Sequence, residues 1–188
     1  MTVSNKIMAF MHSKINMLDK DEPYSIAARA KLRRSIGKPL DDVPDVWDIV
    51  LSSEEDLGKD ATLSAYTAIG LYALHRQGKT DSMNAKDIGF GKAIAELVIK
   101  DKEQEQGVTR KFNAVATSVD FAELAHHARS LVQMLKAKDI KMDYPRFAKE
   151  LYSFQFPESA GNVRLRWGED FYRGIYRKEE KGTDNNAN

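Results

Sequence analysis

The chain has 188 residues, no cysteine, and 29 basic against 28 acidic side chains, which gives a formal net charge of +1. Without cysteine the chain has no disulfide framework, thiolate zinc site, iron–sulfur cluster or cysteine nucleophile. The near-zero total charge argues against a free-standing, strongly basic nucleic-acid binder, and it still allows positive and negative charge to be segregated locally.

Helical spacing of apolar residues begins at the N-terminus, where Val3, Ile7, Phe10 and Met11 predict a first amphipathic helix. Further helices are predicted at 63–74, 90–98, 121–135, 144–152 and 163–175, with Asp143 as an N-cap. The alternation typical of strands is not sustained anywhere. The sequence therefore predicts an all-α protein.

Two small helical-bundle lobes packed together are the predicted organisation. The break at 102–107 predicts a boundary between an N-terminal lobe, residues 1–106, and a C-terminal lobe, residues 107–177. Residues 178–188 are nearly devoid of apolar side chains and predict a disordered tail. No signal peptide and no apolar run long enough to span a bilayer is recognisable, so we predict a cytoplasmic protein with no membrane partner.

Charge alternates in blocks along the chain. Residues 29–38 carry five basic side chains and no acid, namely Arg29, Lys31, Arg33, Arg34 and Lys38. Residues 41–60 are strongly acidic, and residues 129–141 are basic again through Arg129, Lys136, Lys138 and Lys141. Cations on neighbouring helical turns can follow the phosphates of a nucleic acid, and a solvated helix surface is the alternative interpretation. The acidic block could pair with basic protein partners.

Gly89 and Gly91 precede Lys92 in a segment that resembles a phosphate-binding loop only superficially. The third glycine, the preceding strand and a Gly-Lys-Ser/Thr are all missing, so dinucleotide and P-loop sites are excluded. The exposed N–H groups and Lys92 could still bind one backbone phosphate. The favoured interpretation is that these glycines let two helices approach closely.

Nothing in the sequence indicates catalysis. The four histidines lack the spacing of a helical metal site, and no nucleophile elbow is present. We therefore expect no enzymatic activity, no metal and no cofactor. Trp47 and Trp167 lie in apolar stripes and are interpreted as core residues, with base stacking as the alternative.

Several phrases taken together resemble the CasB family, the small subunit of the type I-E CRISPR surveillance complex Cascade. They are Ala-Arg-Ala-Lys-Leu-Arg-Arg at 28–34 with Trp47, Leu-Tyr-Ala-Leu-His at 71–75, Gly-Phe-Gly-Lys-Ala-Ile-Ala at 89–95, Arg-Lys-Phe-Asn-Ala-Val-Ala-Thr at 110–117, Leu-Val-Gln-Met-Leu-Lys at 131–136, Ile-Lys-Met-Asp-Tyr at 140–144, Phe-Ala-Lys-Glu-Leu at 147–151 and Trp-Gly-Glu-Asp-Phe-Tyr at 167–172. The ordered set covers nearly the whole chain, and this makes it more specific than any single phrase.

This resemblance implies an all-helical, two-lobed, non-catalytic subunit. Its implied partners are other Cascade subunits, a second copy of itself, the guide RNA, and target and non-target DNA. The matching basic positions are Arg33, Arg34, Lys92, Arg110, Lys111 and Arg129. Arg29 and Lys136 join them from the basic runs. The chain departs from the family pattern at Arg129-Ser130, where an Arg pair is frequent, and at Gly91-Lys92, where Gly-Arg is more usual.

Two alternatives of other classes remain open from the sequence. The chain could be a helical adaptor that binds proteins only, its basic strips meeting acidic protein surfaces. It could also be a nuclease or other hydrolase, which would show itself as Mg²⁺- or Mn²⁺-dependent loss of intact nucleic acid.

Overall fold

A computed structural model describes residues 2–52 and 56–184, with side chains described as far as residue 177. Within these ranges nine α-helices are present and the only strand-like pairing is an isolated bridge between Asn84 and Met142. The helices are α1 (Val3–Leu18), α2 (Pro23–Ser35), α3 (Trp47–Val50), α4 (Lys59–His75), α5 (Phe90–Lys100), α6 (Glu105–Ala116), α7 (Phe121–Ala137), α8 (Tyr144–Phe154) and α9 (Pro157–Asp184). The all-α prediction is confirmed.

Helix ends follow from side chains that the sequence places there. Asp143 caps α8 by accepting a hydrogen bond from the backbone N–H of Arg146 at 3.0 Å, as predicted. Asp120 does the same for α7, and Glu123 reaches back to the N–H of Val119 at 2.7 Å. Past the end of α2, Gly37 adopts a φ of +81°, which a residue with a Cβ rarely tolerates.

The core is continuous across the predicted lobe boundary. Helix α4 packs against α2, α7 and α8, and α5 packs against α9. The rings of Phe90 on α5 and Phe147 on α8 stack at 5.0 Å, and Phe112 on α6 stacks on Phe171 at 4.4 Å. The division at 106/107 falls inside the first turn of α6, and it stays a prediction.

The predicted tail begins within the last helix. Backbone of α9 continues as far as Asp184, and residues 185–188 lie outside the described part of the chain. The predicted disorder of residues 178–188 therefore stays a prediction. No helix in the described ranges is both long and apolar enough to cross a membrane.

Helices α8 and α9 are joined by a charged cluster around Glu150, which is only 2% exposed. Its carboxylate accepts hydrogen bonds from Trp167 Nε1 at 2.7 Å and from Arg146 Nε at 2.9 Å. Arg166 lies 3.5 Å from the same carboxylate, and Arg146 also contacts Asp170 at 3.2 Å. A buried carboxylate is tolerated here because its charge and its lone pairs are matched.

The variant Glu150→Gln keeps an acceptor for Trp167 and removes the negative charge between two arginines. We expect it to lower the free energy of unfolding by roughly 2 kcal/mol, since hydrogen bonds to charged groups contribute about that much. Urea denaturation measures this difference. Glu169→Gln, which alters an exposed pair with Arg173 at 3.3 Å, is the matched control and should change stability by less than about 0.5 kcal/mol. Equal effects of the two substitutions would contradict this prediction.

Candidate nucleic-acid interface

A groove lies between the end of α2, the middle of α4 and the start of α7. It has a volume of about 520 Å³ and mainly apolar walls, with Lys38 on its α2 side and Arg129 on its α7 side. Helix α4 lies close to the end of α2 because it carries Gly70, where an added Cβ would lie 3.3 Å from Ile36. The exposed Arg129 makes no ion pair with any residue that the structure describes.

Beyond this groove, like charges accumulate on the surface that α2 and α7 share. Desolvation lowers the pKa of Lys136, and the neighbouring cations Lys79 and Arg33 lower it further. The pKa of Arg33 is lowered by desolvation and then by Arg29 and Arg34. The part of each decrease that comes from neighbouring cations reflects a positive potential at that point, and an anion such as a phosphate relieves the repulsion.

Basic side chains also lie past the C-terminal end of α7, where Lys79 and Lys138 are each paired with an acid. Lys79 hydrogen-bonds Asp139 and thereby lowers the pKa of that carboxyl, with Lys100 as a further cation acting on it. Lys100 also donates to the carbonyl of Lys138 at 3.0 Å, and Lys138 pairs with Asp101 at 2.9 Å. These contacts connect the α2–α7 surface to the neighbouring face of the molecule.

That neighbouring face contains a second groove, of about 650 Å³, between α5 and α9. Its basic lining residues come from separate segments of the chain, and they are Lys92, Lys100, Lys141, Arg173 and Arg177. Asp170 and Glu96 are the acids of the same lining. We call the surface that runs from Arg129 and Lys38 past Arg33, Lys136, Lys79 and Lys100 to this groove the basic band.

The structure distributes the eight predicted binding residues over several places. Arg33 and Lys136 lie near each other at the first part of the basic band, Arg129 lies about two turns before Lys136 on α7, and Lys92 lies at the other end of the band. Arg34 is exposed near the end of α2.

Arg110 and Lys111 are exposed on α6, where Arg110 lines a shallow depression that also contains Glu103 and Glu105. These two residues are thus separate from the basic band. Their predicted contact with nucleic acid stays a prediction.

Arg29 has a structural use. Its guanidinium Nη1 donates to the carbonyl of Leu18 and, at 3.0 Å, to that of Lys20. These acceptors lie at the C-terminal end of α1, where backbone carbonyls lack partners within the helix. Arg29 therefore joins α2 to the end of α1, and this contact occupies part of its hydrogen-bonding capacity.

The sequence did not indicate four residues of the basic band, namely Lys79, Lys100, Arg173 and Arg177. Each lies outside the two basic runs at 29–38 and 129–141. Only the packing of α5 against α9 and of α7 against α4 brings them together. Counting charges along the sequence does not indicate that these side chains lie close together in space.

The two tryptophans differ in their environment. Trp167 is completely buried, as predicted, and its ring lies 4.9 Å from that of Phe90. The prediction that Trp47 is a core residue is wrong, because its side chain is 42% exposed. The short 3₁₀ turns at Leu40–Asp42 and Pro44–Val46 replace a continuous helix there, so the apolar spacing around Trp47 does not point to one face.

Gly91 in the first turn of α5 and Gly174 on α9 allow these two helices to pack closely. A Cβ at Gly91 would lie 2.3 Å from the carbonyl oxygen of Trp167 on α9, and one at Gly174 would lie 2.7 Å from Ala95. The favoured interpretation of Gly91 is thereby confirmed. No group of three or more His, Asp or Glu side chains among the described residues could hold a metal ion.

Comparisons with known proteins identify first the class of protein and then its family. The fold and most of the sequence match CRISPR-associated proteins. The family model of CRISPR-associated protein Cse2 matches residues 28–172. The chain therefore belongs to the Cse2 family, and the resemblance to CasB that the sequence indicated is confirmed.

Solved structures agree with this assignment. The crystal structure of CasB from Thermobifida fusca is 29% identical, with a TM-score of 0.72 over 90% of this chain and 97% of that one. A Cse2-family protein from Thermus thermophilus is 21% identical, with a TM-score of 0.70 over 92% of this chain and 99% of that one.

A chain of a CRISPR RNA-guided surveillance complex shares the fold at 17% identity. Its TM-score is 0.77 over 94% of this chain and 99% of that one. Comparison with curated protein sequences returned no match.

Proposed function

We propose that the chain is a non-catalytic structural subunit of an RNA-guided DNA-surveillance complex of the Cascade type. Its partners are the other subunits of that complex, a second copy of itself, the guide RNA, and target and displaced DNA. The complex acts in the cytoplasm. Membership of the Cse2 family and the fold shared with a chain of such a complex support this proposal.

The observation that carries the nucleic-acid part is the proximity of the cations Arg33 and Lys136, with the exposed Arg129, which has no ion pair among the described residues, on the same helix as Lys136. In an RNA-guided complex the sequence is recognised by base pairing, and the protein contacts the backbone through its shape and charge. A surface of cations flanking a groove suits that role, because it needs neither base-specific contacts nor catalytic groups.

The near-neutral net charge of +1 has a specific meaning for such a subunit. In isolation its acidic segments offset the basic band, so free chain should bind nucleic acid weakly. Within a complex, partner proteins cover part of the surface and hold the band against a duplex or a displaced strand. Binding therefore depends on assembly, and it is best measured on the complex.

The test is the triple variant Arg33→Ala, Arg129→Ala and Lys136→Ala, incorporated into the assembled complex. We expect target-DNA affinity to fall by about tenfold, and the salt slope of log K to shrink by ~1 for each phosphate contact removed. The matched control replaces Lys59, Lys86 and Lys149, which change the net charge equally and line neither groove of the basic band. Fluorescence anisotropy at several salt concentrations measures both quantities.

An unchanged affinity and slope for the folded, incorporated triple variant would overturn the nucleic-acid role. It would favour the protein-only adaptor. Equal loss in the control triple would show that only total charge matters and would equally contradict a role for the basic band.

A further inference from the structure

An exposed acidic and aromatic surface lies where the start of α2 meets the 3₁₀ turns and α3. Its members are Tyr24, Asp41, Asp42, Asp45, Trp47, Asp48 and Leu51, which we call the acidic-aromatic patch. Tyr24 is 51% exposed, Trp47 42% and Leu51 53%. We propose that this patch docks a basic surface of another protein subunit, with Trp47 as its central anchor.

Contacts show that the patch is contiguous. The Tyr24 hydroxyl donates to Asp48 at 3.3 Å, so α2 and α3 meet at this point. Leu51 follows Trp47 by one helical turn, with its N–H bonded to the Trp47 carbonyl at 2.8 Å. The indole Nε1 of Trp47 donates to the carbonyl of Leu40 at 2.7 Å, which places the ring beside the turn that carries Asp41 and Asp42.

The indole is held in place before any partner arrives. Its only N–H is already bonded to Leu40, so the exposed part of the side chain that remains for a partner is apolar ring. A fixed aromatic side chain loses little conformational freedom on association. Tryptophan and tyrosine are the residues that most often dominate protein interfaces, especially when polar side chains surround them.

Charge determines which class of partner fits. Asp41, Asp42 and Asp45 are exposed and make no ion pair with any residue in the described part of the chain. Only Asp48 is balanced, by Lys31 at 3.7 Å. Uncompensated carboxylates repel phosphates, so this surface disfavours nucleic acid. They attract lysine and arginine side chains, which can also place their aliphatic stems on the indole.

The test uses the tagged full-length chain co-expressed with the other subunits of its complex, and the molar ratio of the co-purified proteins is measured. Asp45→Lys reverses an exposed, unpaired charge without removing packing, and we expect it to lower co-purification at least tenfold. Trp47→Ala should do the same. Asp81→Lys, an equal charge change at another exposed position, and Leu165→Ala, an exposed apolar residue on α9, are the controls. Thermal unfolding of each isolated chain verifies that the variants fold.

A photo-crosslinking amino acid in place of Leu51 identifies what covers the patch. The proposal expects cross-linked peptides from another subunit with a surplus of lysine and arginine. Cross-links to a second copy of this chain or to nucleic acid would overturn it, as would wild-type yields for Asp45→Lys and Trp47→Ala. The docking surface rests on the proposed function, because its test uses the other subunits of the proposed complex. If the wild-type chain does not co-purify with the other subunits, both the proposed function and the docking surface are overturned. If the wild-type chain co-purifies and the variants do so equally well, only the docking surface is overturned.

Discussion

Replacing Gly91 with alanine should lower the free energy of unfolding by at least about 3 kcal/mol, at the upper end of what overpacking a core costs. The added Cβ would lie 2.3 Å from the Trp167 carbonyl oxygen, 2.8 Å from Asp170 Cβ and 3.1 Å from the Phe171 backbone nitrogen. Two of these three atoms belong to the backbone of α9 and cannot rotate away as a side-chain tip can. Helices α5 and α9 would therefore have to separate.

Separation of α5 from α9 would directly disturb the packing of the aromatic core. Trp167 lies 4.9 Å from Phe90 and 5.9 Å from Phe154, ring to ring, so shifting its backbone loosens contacts that join α5, α8 and α9. Apolar contacts weaken steeply once a gap opens between them. The loss is thus cooperative across three helices and larger than the intrinsic effect of one methyl group.

Gly168→Ala is the matched control because the same substitution is made on α9, one residue from Trp167. Apart from its chain neighbours and the backbone of its own helix, no atom lies within 4 Å of the ideal Cβ of Gly168. Alanine is the better helix former, so we expect this variant to gain roughly 0.5–1 kcal/mol. Urea denaturation of both variants measures the difference. Destabilisation by Gly91→Ala no greater than about 1 kcal/mol, the low end of overpacking costs, would show that the crossing is looser than the structure indicates.

Gly91 also illustrates what periodicity predicts well. The repeat of Phe90, Ile94 and Leu97 predicts α5, and two small residues at its start indicate a close neighbour. Long, regular stripes specify helices because 3.6-residue spacing alone collects the apolar side chains on one face. The partner helix α9 and the angle of approach depend on all the helices at once, and no local pattern encodes them.

The candidate interface was less predictable for the same reason. Arg33 and Lys136 are prominent in local charge runs, and the structure brings them together. Lys79 and Lys100 join them only because the end of α7 lies beside α5 and the loop after α4. Arg29 belongs to the same run as Arg33 and precedes it by one helical turn. At that position its guanidinium reaches the end of α1. A charge run thus indicates a basic helix, and its packing decides which cations are available to a ligand.

Lowering the pH from 7 to 4 should destabilise the protein by about 3 kcal/mol through His75 alone, the free energy equivalent of its pKa change. The side chain is fully buried on α4, and its Nδ1 lies 2.9 Å from the Tyr144 hydroxyl. Burial lowers its pKa from 6.5 to about 4, and the nearby cation Lys79 contributes to that decrease. Lys136 acts in the same direction, whereas Asp139 and the Ile140 backbone oppose it.

The sign follows from the protons bound in each state. Between pH 6.5 and about 4 the unfolded chain binds a proton at His75 that the folded chain excludes. The contribution of neutral His75 to the free energy of unfolding is therefore fully present above pH 6.5. It falls as the pH decreases through this range, by at most ~1.4 kcal/mol per pH unit for one proton. Asp101 and Asp139 also have lowered pKa values, but their ordinary value is 3.8, so their contribution to stability is lost only below about pH 5.

The variant His75→Asn separates this proton from other effects of acid. It removes the titrating ring, and we expect lower stability at pH 7 together with a nearly flat dependence between about pH 6.5 and 4.5, the range of the proton uptake that the ring would otherwise contribute. His12→Asn, at an exposed position on α1, is the control and should keep the wild-type slope. Chemical denaturation at half-unit pH steps gives both curves. If His75→Asn keeps the wild-type dependence of unfolding free energy on pH, the acid sensitivity comes from other groups and not from His75.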